Sequence, residues 1–248
     1  MSKDERGDST DDGPGGWRVV WISIAVAFAG VWGYAVYRED IYEREPYWLL
    51  GLALLGGAAS MFPALWLEGR LLPAGPDLDG ALSARLAAAF LVAGPVEECC
   101  KFAVVWLLVR PWASFNEPMD GILYAVMAAA GFATAENLYF MDGDPQVILQ
   151  RGPISVAVHI LFAAFWGGAL AHAYMLRDRR RRFVILCLGV AVAAGVHGLY
   201  DAIVFASQRE LTLGQSRAAQ ISLVLGCFVF LRWRMRVALA QSPFRGRK

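Results

Sequence analysis

The sequence predicts an all-α fold, a polytopic bundle of transmembrane helices. Of the 248 residues, 57% are apolar and only 18% are charged, whereas about a quarter of the residues of a soluble domain are charged. The charges lie between apolar stretches long enough, at about 18 residues or more, to indicate membrane spans. The net charge of +1 supplies no basic field, so no nucleic-acid partner is expected.

Composition divides the chain into three parts. Residues 1–16 are polar, acidic and rich in glycine, which predicts a disordered tail. Residues 17–236 are predicted to form the transmembrane domain, and residues 237–248 a basic cytoplasmic tail. Within the domain, seven segments are predicted to span the membrane, because about 20 helical residues cross a hydrocarbon core of about 30 Å. These segments are residues 19–37, 47–67, 82–109, 119–140, 153–176, 183–206 and 211–231.

The third segment, residues 82–109, is longer than one crossing needs and contains Gly94 and Pro95 at its middle. A kinked helix, a tilted helix and a re-entrant pair are all compatible with it, and a break at Gly94-Pro95 would give eight spans. Lysine and arginine are concentrated on one side of the predicted spans, above all in residues 177–182. The positive-inside rule therefore predicts a multi-pass protein of the cell membrane with an extracytoplasmic N-terminus and a cytoplasmic C-terminus.

Ionisable residues occur inside four of the predicted spans, where a charge costs several kcal/mol unless it is paired or hydrated. Helical spacing lets Glu97 and Glu98 both reach Lys101, and it places His197 one turn from Asp201. Lys101 can neutralise only one of the two adjacent glutamates, Glu97 and Glu98, which we call the doublet. The other glutamate has no partner to account for it, so a functional site is predicted. The residues are Glu97, Glu98 and Lys101 in the third span, Glu136 in the fourth, His159 in the fifth, and His197 and Asp201 in the sixth.

The predicted orientation places most of these groups in the outer half of the membrane, which predicts a water-filled cavity open to the outer face. One of Glu97 and Glu98 can act there as general base on a water molecule, while a histidine protonates the leaving amine. Asn137 is expected to support the site, either by a hydrogen bond between helices or by orienting Glu136. The serine-nucleophile motif GxSxG, the aspartyl motif GxGD and the zinc motif HExxH are absent from the sequence, which disfavours those protease mechanisms.

The same polar atoms can also serve as metal ligands. Glu136, His159, His197 and Asp201 form a nitrogen and oxygen set that suits zinc or another divalent ion, with Glu97 or Glu98 activating the metal-bound water. The residues alone leave the cofactor open.

The motifs carry a resemblance to a known family. The string EECCK at 97–101 resembles the EExxK signature of the PrsW family of intramembrane proteases. FATAEN at 132–137 resembles the FxxxE block of that family, and His159 and HGLYD at 197–201 resemble its two later histidine blocks. The similarity covers residues 90–205 in the same order, and the family is distantly similar to the CAAX-processing and bacteriocin-processing membrane endopeptidases.

The resemblance implies a protease that cuts a single-span transmembrane protein, typically an anti-sigma factor, near its extracytoplasmic face. Glu97 and Glu98 match the family's glutamate pair, Lys101 its basic residue, and Asp201 its polar residue after the last histidine. Members are often labelled metalloproteases, whereas the related endopeptidases are argued to depend on glutamate without metal. We expect a metal-independent mechanism that is based on glutamate.

A different class of protein uses similar residues. Chains of glutamate, histidine and aspartate also relay protons, so a proton- or ion-coupled membrane transporter is the alternative. Against it, the sequence contains no inverted repeat and no polar trail to the inner face.

Overall fold

The computed structural model describes residues 16–72, 81–141, 146–207 and 210–246. All regular elements within these ranges are helices, which confirms the all-α prediction. The predicted disordered tail, residues 1–16, lies outside the described residues except for its last residue. The helices are α1 (Gly16–Tyr37), α2 (Tyr47–Leu71), α3 (Leu82–Ala87), α4 (Gly94–Val104), α5 (Pro118–Met141), α6 (Gln146–Met175), α7 (Arg179–Ala206) and α8 (Leu213–Ala240).

Residues 82–109 form one continuous helical rod, and the chain is not broken at Gly94-Pro95. The π-helical segment Ala88–Ala93 joins α3 to α4, and a second one, Val105–Val109, ends the rod. Gly94 keeps right-handed helical angles, and its N–H donates to the carbonyl of Ala89. Because Pro95 has no N–H to donate, this wider turn lets the helix accept the proline without ending. With the rod counted once, the described residues form seven long helical units, as predicted.

Among the described residues, five helical segments are long and apolar enough to cross a membrane, by length and composition alone. The rod and α8 are not among them. The rod contains Arg85, Glu97, Glu98 and Lys101, and α8 contains several arginines. The five segments are Val19–Tyr37, Tyr47–Leu71, Pro118–Met141, Ile148–Met175 and Arg179–Ala206.

Two helix starts differ from the edges of the apolar segments because polar side chains cap them. Helix α7 begins at Arg179, since the Asp178 carboxylate accepts the backbone N–H groups of Arg180 and Arg181 at 2.8 and 3.3 Å. Helix α8 begins after Thr212, which forms a reciprocal capping box with Gln215. Hydropathy therefore locates the spans, whereas the caps set where the helices begin.

Helices α5 and α6 form the centre of the bundle. In the most apolar 18-residue stretch of each of these two helices, 89% is buried, whereas the corresponding share in α1 is 22%. The two helices approach so closely that a Cβ atom on Gly121 would lie 2.7 Å from the backbone nitrogen of Ala171, and one on Gly167 would lie 2.9 Å from the Gly121 carbonyl oxygen. Small residues at helix interfaces are the usual means of close packing in membranes, where van der Waals contact drives association.

A group of buried acids lies at the end of the bundle where α5 begins. Asp40 and Glu45 come from the loop between α1 and α2, Glu117 precedes α5, and Asp120 lies in its first turn. Burial is the main cause that raises the pKa of Asp40 to about 8, and the neighbouring Glu117 raises it further. Burial also raises the pKa of Glu45 and of Glu117.

Several donors stabilise this acidic group. The Asp120 carboxylate accepts the backbone N–H groups of Asn116 and Glu117 at 2.6 and 2.8 Å. The hydroxyl of Tyr124 donates to Glu45, and the hydroxyl of Ser242, beyond α8, donates to Glu117. The group thus links the first loop, the start of α5 and the C-terminal segment.

These raised pKa values predict that the protein loses stability as the pH rises from about 4 to 8. Across this interval the unfolded chain releases the Asp40 proton near its ordinary pKa of about 3.9, whereas the native protein keeps it up to about 8. The apparent melting temperature of the detergent-solubilised protein should therefore fall between pH 5 and pH 8, and Asp40→Asn should flatten that fall. Asp178→Asn, which removes an exposed carboxylate, is the control. An unchanged pH slope in Asp40→Asn would contradict the prediction.

Candidate active site

The rod places three ionisable side chains on one buried face. Glu97, Glu98 and Lys101 all lie on α4 and are buried. The Lys101 Nζ lies 2.7 Å from Oε1 of Glu98 and 3.4 Å from Oε2 of Glu97. The doublet and the lysine thus form a compact charged group, as their helical spacing requires.

Helix α7 brings His197 against this doublet. Its Nδ1 lies 2.9 Å from Oε1 of Glu98, and its Nε2 lies 3.7 Å from Oε2 of Glu97. The same Nε2 lies 3.6 Å from Oδ2 of Asp201, one turn further along α7. His197 is therefore surrounded by three carboxylates from two helices.

The contact between the rod and α7 depends on glycine in both helices. A Cβ atom on Gly94 would clash with the carbonyl oxygen of Ala194, and a Cβ atom on Gly198 would lie 2.8 Å from the carbonyl oxygen of Ala89. Gly198 directly follows His197, so this close approach places the imidazole against Glu98. The glycines thus act on the site through helix packing.

Helices α5 and α6 supply two more ionisable side chains of the cluster, Glu136 from α5 and His159 from α6. Nδ1 of His159, on α6, lies 2.9 Å from Lys101 Nζ, and its Nε2 lies 3.2 Å from Oε2 of Glu136, on α5. Because an ammonium group can only donate, Nδ1 of His159 accepts and its proton is assigned to Nε2, where it donates to Glu136. Glu136 also lies 3.4 Å from the hydroxyl of Ser155 and 3.5 Å from Arg151.

The two glutamates of the doublet have different surroundings. Glu98 is fully buried and accepts hydrogen bonds from Lys101, from His197 and from Nε1 of Trp166, the last at 2.9 Å. Glu97 accepts one longer hydrogen bond, from Lys101, its Oε2 lies 3.7 Å from a ring nitrogen of His159 and of His197, and its side chain is 10% exposed. The carboxylate of Glu98 accepts three hydrogen bonds at its roughly four lone-pair positions, whereas that of Glu97 accepts one and has more capacity for a further partner.

Exposure of the side chains shows where the site opens. Lys101 and Glu98 are fully buried, whereas the side chains of Glu136 and Asp201 are 14% and 22% exposed. The residues predicted from the sequence are thus brought together as a packed polar cluster with its access beside Glu136 and Asp201. Asn137 is buried on α5, but its amide has no hydrogen bond within the described parts of the chain, so the predicted bond to Glu136 is absent.

Sequence reasoning missed Glu68. The predicted second span ends at residue 67, but α2 continues to Leu71 and brings the Glu68 carboxylate into electrostatic range of Glu136, His197 and Asp201. Its Oε1 is buried and has no hydrogen bond among the described residues. A carboxylate one turn from a helix end has the appearance of an ordinary boundary residue, and only its position beside the other helices distinguishes it.

The donor set fits a divalent metal ion. Glu97, His159 and His197 each direct a ligand atom into a space in which these atoms lie within 4.8 Å of one another. This set differs from the one predicted, because Glu97 lies 3.7 Å from a ring nitrogen of each histidine, whereas, of the two histidines, Glu136 contacts only His159 and Asp201 contacts only His197. The second nitrogens of the histidines contact Glu136 and Glu98, the kind of outer carboxylate contact that orients histidine ligands.

The fold and site define a polytopic membrane protein with a buried cluster of glutamates and histidines suited to hydrolysis. A family model described as "PrsW family intramembrane metalloprotease" matches residues 45–233, and the chain belongs to this family. It is 31% identical to a Protease PrsW of Geobacillus kaustophilus over 174 residues, which cover 70% of this chain and 74% of that protein.

Other relatives agree with this assignment. The Protease PrsW of Bacillus subtilis is 29% identical, with 68% of this chain and 76% of that protein covered. The Protease PrsW of Clostridioides difficile is 30% identical, with 69% and 73% covered. No solved structure matches the chain. The family confirms the predicted class of enzyme, a membrane protease, over the transporter alternative, and its description as a metalloprotease family disfavours the metal-independent expectation.

The packing of α7 against the rod leads to a matched pair of glycine variants. Gly198→Ala should overpack the contact with Ala89 and Phe90 and destabilise the protein by about 1–3 kcal/mol, with a loss of proteolytic activity. Gly195→Ala, on the same helix, meets nothing within 4 Å and should be neutral or slightly stabilising. Melting temperature and cleavage of a membrane reporter substrate measure both effects. Equal behaviour of the two variants would contradict this account of the helix contact.

Proposed function

We propose that the chain is an endopeptidase that hydrolyses a peptide bond of a single-span membrane protein, and that Glu97 is the carboxylate that activates water. The observation that supports this assignment is the difference between the two glutamates. Glu98 already accepts three hydrogen bonds, whereas Glu97 is partly exposed and faces two imidazoles. A general base needs a lone pair that water can reach, and Glu97 accepts fewer hydrogen bonds and is more exposed than the fully buried Glu98.

The other groups divide the remaining work. His197 donates Nδ1–H to Glu98, so the lone pair of its Nε2 faces Glu97 and Asp201. The proton that Glu97 takes from water then passes to the leaving amine. Glu98, Lys101 and Trp166 act as positioning residues, because all three are buried and act through the hydrogen bonds that orient Glu97, His159 and His197. Glu136, with His159, and Asp201 lie at the more exposed side, where a peptide would enter.

His159 and His197 would hold a metal ion, with Glu97 beside them to activate water, and binding at His159 Nδ1 would replace its hydrogen bond from Lys101. A bound divalent ion, such as zinc, would supply Lewis acidity and lower the pKa of a coordinated water. Glu98 and Glu136 would fix the orientation of the two histidines through their second nitrogens.

The substrate and the orientation are further parts of the proposal. The relatives are named proteases, which makes a protein substrate the general expectation. An anti-sigma factor is the specific one that the family resemblance suggests. The distribution of arginines supports an extracytoplasmic N-terminus and a cytoplasmic C-terminus, with Glu136 and Asp201 towards the outer face. The protease domain then covers residues 17–236, and residues 237–248 begin with the end of α8.

Active-site variants test the proposed roles. Glu97→Gln should lower cleavage of a single-span reporter by about 10²–10⁴-fold, since it removes the base, and His197→Ala should have an effect of similar size. Cleavage by the purified protein in liposomes is the measurement. His172→Ala is the control, because His172 is an exposed histidine on α6, the helix that also carries His159. Full activity of Glu97→Gln and His197→Ala, in protein that is inserted and folded, would refute the proposed mechanism.

Metal analysis tests the ligand set separately. The purified protein should contain about one divalent ion per chain, and a chelator should abolish cleavage until the ion is restored. His159→Ala and His197→Ala should each lose the ion, whereas Glu97→Gln, which lacks the proposed base, and His172→Ala should keep it. Metal content measured beside activity distinguishes a ligand from a base, because a variant that lacks only the base keeps its metal. Full turnover by metal-free protein would exclude the metal from the mechanism.

A further inference from the structure

A lateral groove of about 1090 Å³ lies between the rod and α7, on the side away from the active-site cluster. Most of its wall is apolar and includes Phe90, Phe102 and Phe183. Cys99, which follows the buried Glu98 and is exposed, also lines it. The groove therefore faces the lipid side of the helix pair that carries Glu98 and His197.

One end of the groove is basic. Arg110, at the end of the rod, and Arg179 and Arg182, in the first turn of α7, all line it. The Arg110 guanidinium stacks over the ring of Trp106 at 4.2 Å, and Nε of Arg182 donates to the carbonyl of Leu176. Within the described ranges none of the three forms an ion pair with a carboxylate. Three positive charges thus meet at the edge of an apolar groove without compensation.

The arginine-rich segment is divided between two faces of the structure. Arg179 and Arg182 line the groove, whereas Arg180 and Arg181 line a different depression that also contains Asp178. Arg181 pairs with Asp178 at 3.5 Å. The positive-inside rule explains why arginines occur in this segment, but it does not require two of them to converge with Arg110 on one groove.

We propose that this groove binds an anionic phospholipid, with an acyl chain along its apolar wall and the phosphate on Arg110, Arg179 and Arg182. Basic pockets between transmembrane helices are suited to anionic headgroups, and arginine donates two parallel hydrogen bonds to phosphate. A substrate helix is a poorer occupant, because the cytoplasmic end of a single-span protein is itself rich in lysine and arginine and would be repelled. This site lies beyond the proposed proteolytic function and does not depend on it.

Native mass spectrometry of the full chain, with dioleoylphosphatidylglycerol and dioleoylphosphatidylcholine as probes, tests the charged end. The wild type should retain the anionic lipid in preference to the zwitterionic one. Arg179→Gln with Arg182→Gln should weaken phosphatidylglycerol binding by about tenfold or more, since each arginine near a membrane surface contributes about 1 kcal/mol. The matched control, Arg180→Gln with Arg181→Gln, removes the same charge from the same turn and should bind as the wild type does.

A second pair of variants tests the apolar wall without changing charge. Gly195 lines the groove and has open space at its Cβ, so Gly195→Leu should fill the groove and reduce retention of phosphatidylglycerol. Gly226→Leu, at an equally open position on α8, is the control and should leave retention unchanged. The proposal is overturned if the wild type shows no preference for phosphatidylglycerol, or if both arginine pairs have equal effects. A third outcome would assign the groove to substrate instead. In that case the Arg179 and Arg182 variant would lose binding of a single-span reporter peptide but would retain phosphatidylglycerol as the wild type does.

Discussion

The burial of Glu98 is the constraint on which the arrangement of the site depends. A carboxylate removed from water costs several kcal/mol unless its oxygens are paired and hydrogen-bonded. Glu98 meets this condition with donors from three separate elements, Lys101 on the rod, Trp166 on α6 and His197 on α7. The rod, α6 and α7 are therefore held in one relative position, because a shift of α6 or α7 would take one of its three donors from a buried carboxylate.

Small residues at the helix contacts make this arrangement sterically possible. Gly94 and Gly198 let the rod and α7 approach closely enough for the short contact between His197 and Glu98, and Gly121 and Gly167 do the same for α5 and α6. In a bilayer the lipid tails are as apolar as leucine, so helices associate through close van der Waals contact and hydrogen bonds. Glycine contacts and buried polar contacts support each other here, since neither the contact distance nor the pairing is reached without the other.

The bundle contains two buried acidic groups at opposite ends of α5, and they differ in what surrounds them. The group around Asp120 is held by hydroxyl and backbone donors, and Asp40 within it keeps a proton up to a raised pKa. The group around Glu136 and the doublet contains Lys101 and two histidines, bases that can hold or pass a proton. This difference in composition separates an acidic group suited to structure from one suited to hydrolysis.

The sequence by itself determined the all-α membrane fold, the seven helical segments and the set of intramembrane ionisable residues from which the candidate site was predicted, because apolar length, helical spacing and the rarity of charge in membranes are all local properties. Only the tertiary structure decided that Glu98 accepts three hydrogen bonds, that Glu97 lies near both histidines, and that Glu68 lies nearby. It also showed that the chain stays helical through Gly94 and Pro95. Contacts between helices depend on the rotation and axial offset of each helix, and these are set by packing over the whole bundle. They cannot be predicted from the spacing of residues along one segment.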